Sequence, residues 1–223
     1  MEKNILIVQP GRFGDIIICL PIAKYYADLG YKVDWFCQEP YDSLFRNINY
    51  CTPVKNIEKH YYDVIDMSFG FGGPPEGWWQ ITKPRWKSFV EAKYFLAHTP
   101  LEEKWNLQWE RDLKAENKLF DELNLPQEYL VYHDEGSQGA YDLELPEKLH
   151  RVKFGKFKDY NIFDWYKVLE QAKEIHCVDS VLCNFVDAAL KEKKEKFFHD
   201  IRQHSSSPDR TLLKDWRTIN YEN

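Results

Sequence analysis

"ILIVQPGRFGD", residues 5–15, decides how the rest of the chain is read. Ile5-Leu6-Ile7-Val8 runs without polar alternation and is rich in β-branched residues, the pattern of a strand buried on both faces in a parallel sheet. Gly11 and Gly14 allow a turn with positive φ and close backbone approach. From Ile16 to Leu29 the spacing of Ile18, Ile22, Tyr25, Tyr26 and Leu29 is helical, with Gly30 as the stop. Pro21 lies inside that segment, so the helix either begins late, with proline in its first turn, or kinks there. Tyr31 to Cys37 follows as a second strand. Strand, helix and strand within about 35 residues form a right-handed βαβ unit, the start of a doubly wound sheet.

The same alternation continues outward. A short helix is expected over Tyr41 to Arg46, strands over Pro53 to Ile57 and Tyr62 to Met67, and a Gly- and Pro-rich loop over 68–86 that carries three tryptophans, Trp78 and Trp79 among them. Arg85 to His98 has helical character, and Glu102 to Leu123 a long charged helix or helix pair. After Pro126 the pattern restarts. Strands are expected at Tyr129–Tyr132, Arg151–Phe154, Glu174–Val178 and Lys196–His199, with helices at Ile162–Ala172 and Ser180–Leu190. In the tail, Leu212, Leu213, Trp216 and Ile219 suggest one more helix. The expected fold class is α/β, with two Rossmann-like domains over 1–125 and 126–223 whose parallel sheets face each other across a cleft.

Composition bounds the function. The 223 residues carry a net charge of -6, so no global field draws the chain to nucleic acid or anionic lipid. Five widely spaced cysteines suit buried thiols in a reducing compartment better than a disulfide framework. No apolar run reaches the ~20 residues needed to span a bilayer, and the expected location is cytoplasmic.

Ligands of open parallel sheets bind where strands end and helices begin. Two junctions fit. In "PGRFGD" the spacing is G-x-x-G-D, and an aspartate at a helix start would repel a pyrophosphate, so this is not a dinucleotide fingerprint. Asp15 is either an N-cap or a general base for an acceptor hydroxyl, and the residues alone leave both open. In "IHCVDSVLCNF" a strand delivers Asp179 and Ser180 to a helix start, where they would cap the helix or hold a phosphate. His176 with Cys177 and Cys183 lacks a second ligand pair, so no metal site is expected. "GKFKD" at 155–159 lacks the spacing of a P-loop, and no G-x-S-x-G elbow is present.

Three segments, in order, resemble the ADP-heptose:lipopolysaccharide heptosyltransferase family (glycosyltransferase family nine). "NILIVQPGRFGDIIICLPIAKYYADLGYKVDWFC" is similar to its opening strand, G-D turn and L-P helix. "YLVYHDEGS" resembles its H-P-G-[AS]-S turn, and "AKEIHCVDSVLCNFVDAAL" its D-[ST]-G-x-x-H signature. The resemblance implies the GT-B fold, with acceptor on the first domain and nucleotide sugar on the second. It places Asp15 at the catalytic base, and Asp179, Ser180 and Ser137 among donor-binding positions. Val181 and Asn184 stand where the family has Gly and His, and Asp134 where it has Pro, so the donor's identity is not carried over. The chain is also shorter than typical members.

Gly11, Arg12, Gly14, Trp78 and Trp79 are the expected acceptor-side or phosphate-contacting residues, with Arg12 or Lys153 as further partners of the leaving-group charge. The implied reaction is inverting and needs no metal or resident cofactor, with a nucleoside-diphosphate sugar as co-substrate and a glycan or other hydroxyl acceptor. Two other readings remain. One is a non-catalytic module that binds a nucleotide or glycan. The other is a glycosyltransferase acting on modified nucleic acid, suggested by "GWWQITKPRW" with Lys83, Arg85 and Lys87, against which the net acidity weighs.

Overall fold

The computed structural model describes residues 3–57, 60–68, 88–136, 139–155, 160–190, 194–201 and 213–221. The chain divides into two compact units, Met1–Glu110 and Arg111–Asn223. Each is built on its own parallel sheet.

In the first unit, β1 (Asn4–Val8) is flanked by β2 (Lys32–Phe36) and β4 (Asp63–Asp66), with β3 (Thr52–Val54) beyond β2. All pairings are parallel, in register Ile5 with Val33 and Asp63. The order β3-β2-β1-β4 reverses direction between β1 and β4, which makes that gap the switch point of the sheet. Ile5, Leu6 and Ile7 are fully buried, as an unbroken apolar run requires.

Helix α1 runs from Phe13 to Asp28, earlier than the late start that Pro21 suggested; the proline lies mid-helix. Every residue from Ile16 to Ala23 is buried, so this stretch is core on all sides and the missing N–H of Pro21 is offset by packing. Its end is a Schellman cap. Gly30 takes φ 83, its N–H donates to the Ala27 carbonyl, the Tyr31 N–H donates to the Tyr26 carbonyl, and the rings of Tyr26 and Tyr31 meet at 5.6 Å. The Tyr41–Asn47 segment is a 3-10 turn, not an α-helix. Helix α2 (Phe89–Leu96) starts at a capping box formed by Ser88 and Glu91, and the 85–87 part of the expected span lies outside the described residues.

The stretch expected as a long helix or helix pair from Glu102 to Leu123 is split between the units. A 3-10 turn at Leu101–Trp105 ends at Asn106. Residues 108–110 are then tied to the first unit. The Asn47 amide and the Tyr50 hydroxyl donate to the carbonyls of Glu110 and Gln108, and Asn49 donates to the Glu110 carboxylate. From Arg111 onward the bonds turn inward to the second unit. Asp112 caps α3 (Leu113–Leu123) by accepting from the Ala115 N–H, and Arg111 grips the buried Glu116 at 2.9 and 2.6 Å. The compact units divide between Glu110 and Arg111, whereas the restart of the pattern after Pro126 led to an expected boundary at 125/126.

The second sheet has the order β11-β10-β9-β5-β8, from β5 (Tyr129–His133), β8 (His150–Lys153), β9 (Glu174–Cys177), β10 (Glu195–Asp200) and β11 (Arg217–Asn220), all parallel. Its switch point lies between β5 and β9. A small antiparallel pair, β6 (Glu135–Gly136) and β7 (Gly139–Ala140), follows β5. Helices α4 (Tyr166–Gln171) and α5 (Val181–Ala189) fill the crossovers. The tail corrects the expectation of a helix. Thr218 and Ile219 pair with β10 as strand β11, because Asp187 accepts from both the Lys214 N–H and the Trp216 indole and so anchors the segment extended.

Candidate functional site

At the C-terminal edge of the first sheet, β1 runs into Gln9-Pro10-Gly11-Arg12 and then α1. Arg12 is the N-cap residue, at φ 63 and ψ 110, and makes no side-chain cap. The positive φ of this turn thus falls on an arginine; among the described residues the positive-φ glycines are Gly30 and Gly139. Gly11 is buried, Gly14 and Asp15 are half-buried, and Arg12 is exposed. Asp15 is the third helical residue, so the N-cap reading is corrected: it sits inside the first turn, where its charge favours the positive end of the helix. Cys19 lies one turn on, on the same helix face. Burial pushes its thiol up to about 12, with Lys93 pulling it down and Asp15 pushing it further up. Both charges thus act on Cys19.

Two groups behind this turn escaped the sequence reading. Lys93 has 0 % exposure, and its Nζ donates to Gln9 Oε1 at 2.5 Å and to the Met67 carbonyl at 2.8 Å. Gln9 is buried and donates from Nε2 to the Gly11 carbonyl at 2.9 Å. The available signal was a lysine at core-facing spacing in α2, among Val90, Tyr94 and Ala97.

At the corresponding edge of the second sheet, Ser180 is the N-cap of α5, its Oγ accepting from the Cys183 N–H at 3.5 Å. Its capping reading holds. Asp179, Ser180 and Val181 are half-buried at this junction. Asn184 is 7 % exposed and His133, which ends β5 across the switch point, is 8 % exposed. Among the described residues, neither Asn184 Oδ1 nor His133 Nδ1 finds a hydrogen-bond partner. Burial brings the His133 imidazole down to about 4, with Glu135 and Asp134 opposing, so the ring is neutral at pH 7. Lys153, expected near a leaving group, is held instead by Asp134 at 2.8 Å and Glu135 at 3.0 Å.

The expected residues thus gather within each unit: Gly11, Arg12, Gly14 and Asp15 at one strand-to-helix junction, Asp179, Ser180, Val181 and Asn184 at the other. Ser137, Trp78, Trp79 and the aromatic loop with Lys83, Arg85 and Lys87 lie outside the described residues. All five cysteines are buried thiols outside any disulfide. Among the described residues no group of three or more His, Cys, Asp or Glu side chains is placed to hold a metal ion, and no helix is long and apolar enough to cross a membrane.

No protein-family model matches the chain, and no curated protein is similar to it at a significant level. Solved structures are similar in fold. The E. coli ADP-heptose LPS heptosyltransferase II matches with a TM-score of 0.62 and 16% identity over 98% of this chain and 90% of that one. The E. coli heptosyltransferase WaaC, solved with ADP, matches at 0.56 and 14% over 98% and 91%. The iron-containing dodecameric glycosyltransferase TibC of enterotoxigenic E. coli matches at 0.54 and 10%, covering 89% of this chain but 58% of its own. The likeness to heptosyltransferases seen in three sequence segments is thus carried by the fold.

Proposed function

We propose that the chain is a nucleotide-sugar-dependent glycosyltransferase, inverting and metal-independent, with Asp15 as general base. The observation that carries this reading is the placement of Asp15 in the first turn of α1, at the edge beside the β1/β4 switch point. The Ser180 helix start follows β9, beside the β5/β9 switch point of the second sheet. The reading has the acceptor on the first unit and the donor on the second.

Asp15 would take the proton of an acceptor hydroxyl as its oxygen bonds to the anomeric carbon. The bond from that carbon to the diphosphate oxygen breaks on the opposite face, through an oxocarbenium-like transition state, and its electron pair leaves with the nucleoside diphosphate. The first backbone N–H groups of α5 and the Ser180 hydroxyl would receive that charge. Lys153 is not counted among these donors, because two carboxylates already engage it. The structural relatives are described with ADP and ADP-D-β-D-heptose, which makes ADP-heptose the first donor to try. Asp15→Asn should abolish release of ADP from ADP-heptose in the presence of acceptor while leaving ADP affinity unchanged. Full activity in that variant would remove the base assignment.

The second reading, a module that binds without transfer, is favoured by Asn184 and Val181 at positions where the family has His and Gly, and by the pairing of the Lys153 ammonium with two carboxylates. Calorimetry showing tight ADP binding, with no ADP released from ADP-heptose over a broad acceptor panel, would select it.

A further inference from the structure

Arg12 occupies a sparsely populated backbone region, φ 63 and ψ 110, that a non-glycine residue keeps only where its surroundings over-determine it. The surroundings are three consecutive carbonyls, two held by donors from elsewhere in the first unit and the third by the side chain of Gln9 in the turn itself. The Gln9 carbonyl accepts from the Trp35 indole at 3.0 Å, the Pro10 carbonyl from the Gln38 N–H at 2.8 Å, and the Gly11 carbonyl from Gln9 Nε2 at 2.9 Å. Of these donors the Gln9 amide is the one free to rotate, and Lys93 stops it by donating to Oε1. The same ammonium donates to the Met67 carbonyl, just past β4, and lies 4.5 Å from the centroid of the Phe89 ring. It therefore ties together the two strand ends that flank the switch point.

The position is a costly one for a charge. Lys93 shares the core-facing side of α2 with Val90, Tyr94 and Ala97, where an apolar side chain of similar length would fill the space without desolvating an ammonium. Its acceptors include one neutral oxygen past the end of β1 and one past the end of β4, so its bonds orient the two strand ends with respect to one another.

We propose that Lys93 is a positioning residue for the turn that carries Asp15. Through Gln9 it fixes the Pro10–Gly11–Arg12 backbone, and with it the direction in which Arg12 and the first turn of α1 are presented. The catalytic part of this inference rests on Asp15 acting as general base; the backbone part does not.

Lys93→Met keeps the length and removes the donors. It should lower kcat for ADP release from ADP-heptose by about tenfold or more, as misplacement of a catalytic group does, while KM for the donor stays unchanged. Exchange of the Ile16 and Gln38 amides, whose N–H groups donate to the Arg12 and Pro10 carbonyls, should accelerate together with the loss. The control is Leu119→Ala, a core truncation in the second unit, studied at a temperature where both variants are folded. Loss confined to Lys93→Met supports positioning. Equal kcat and equal exchange of these two amides in the two variants overturn it. Should Lys93→Met fail to fold, Gln9→Met breaks the same relay with the ammonium still bonded to Met67, and the same outcomes apply. Full activity in Asp15→Asn would remove the base reading alone, since exchange of the Ile16 and Gln38 amides still decides whether Lys93 holds the turn.

Discussion

Replacing His199 with glutamine should make the second unit less sensitive to acid. His199 is 1 % exposed and sits in a chain of hydrogen bonds along one face of the sheet. The Glu174 carboxylate accepts from His176 Nε2 at 3.1 Å, which leaves His176 Nδ1 as the acceptor of a 2.9 Å bond from His199 Nε2. His199 Nδ1 must then accept the Tyr221 hydroxyl at 2.6 Å, and that hydroxyl oxygen accepts the Glu144 N–H at 2.9 Å. Every link requires both imidazoles to be neutral. Burial brings His199 from 6.5 down to about 4, His176 adding to the effect, and His176 is itself lowered by burial against the pull of Glu174. Between these values the unfolded chain binds more protons than the folded one, so stability rises with pH. The contribution is complete above about 6.5 and is lost as pH falls toward about 4. At about 1.4 kcal/mol per pH unit, His199 alone accounts for about 3 kcal/mol. Glutamine can donate to His176 and accept from Tyr221 but binds no proton. Urea unfolding of His199→Gln and the parent chain at pH 7, 6, 5 and 4, followed by tryptophan fluorescence, should show the variant losing about 3 kcal/mol less across that range. Other acid-sensitive groups, His133 included, are common to both proteins and cancel. Parallel pH curves would refute the reasoning.

Asp15→Asn, besides abolishing transfer, should cost only about 0.3–1 kcal/mol of stability, because the side chain acts on the helix dipole and is not the cap; a larger loss in thermal melting would assign Asp15 a structural role. Arg111→Met strands the Glu116 carboxylate at 1 % exposure and should destabilise the second unit by about 3–5 kcal/mol, with Glu116→Met in the same chain restoring much of the loss in denaturant melts. At position 12 the usual order of glycine and alanine should invert, Arg12→Gly being more stable than Arg12→Ala by about 1 kcal/mol at φ 63. Equal midpoints for those two would show that the turn relaxes.

The fold was legible where one period dominates. Ile5–Val8, Tyr129–Tyr132 and Glu174–Val178 are apolar runs that only a doubly covered sheet can bury, and each forms a parallel strand. Periodicity failed where long-range polar contacts decide. Residues 106–112 carry no strong breaker, yet Asn47, Asn49 and Tyr50 draw Gln108 and Glu110 away from any helix. Trp216 and Ile219 have helical spacing, and the segment is a strand because Asp187, twenty-seven residues upstream of Lys214, takes its donors.

The candidate site divides along the same line. Ser180 was legible because capping is local: the residue, its helix and its bond partner lie within four positions. Asp15 was legible as a residue but not as a geometry. Its N-cap reading assumed that the helix starts after the aspartate, at Ile16, whereas α1 begins three residues earlier, at Phe13, behind an arginine in a left-handed conformation. Nothing local favours Arg12 there over the flanking glycines. The conformation is imposed by Trp35, Gln38 and, through Gln9, Lys93, which lies 84 residues along the chain from its partner. A lysine at a core-facing position conflicts with its own helix, and such a local violation persists when its cost is met by another part of the structure. Here that part is the turn bearing Asp15, which gives the buried ammonium a physical reason that helix packing alone does not supply.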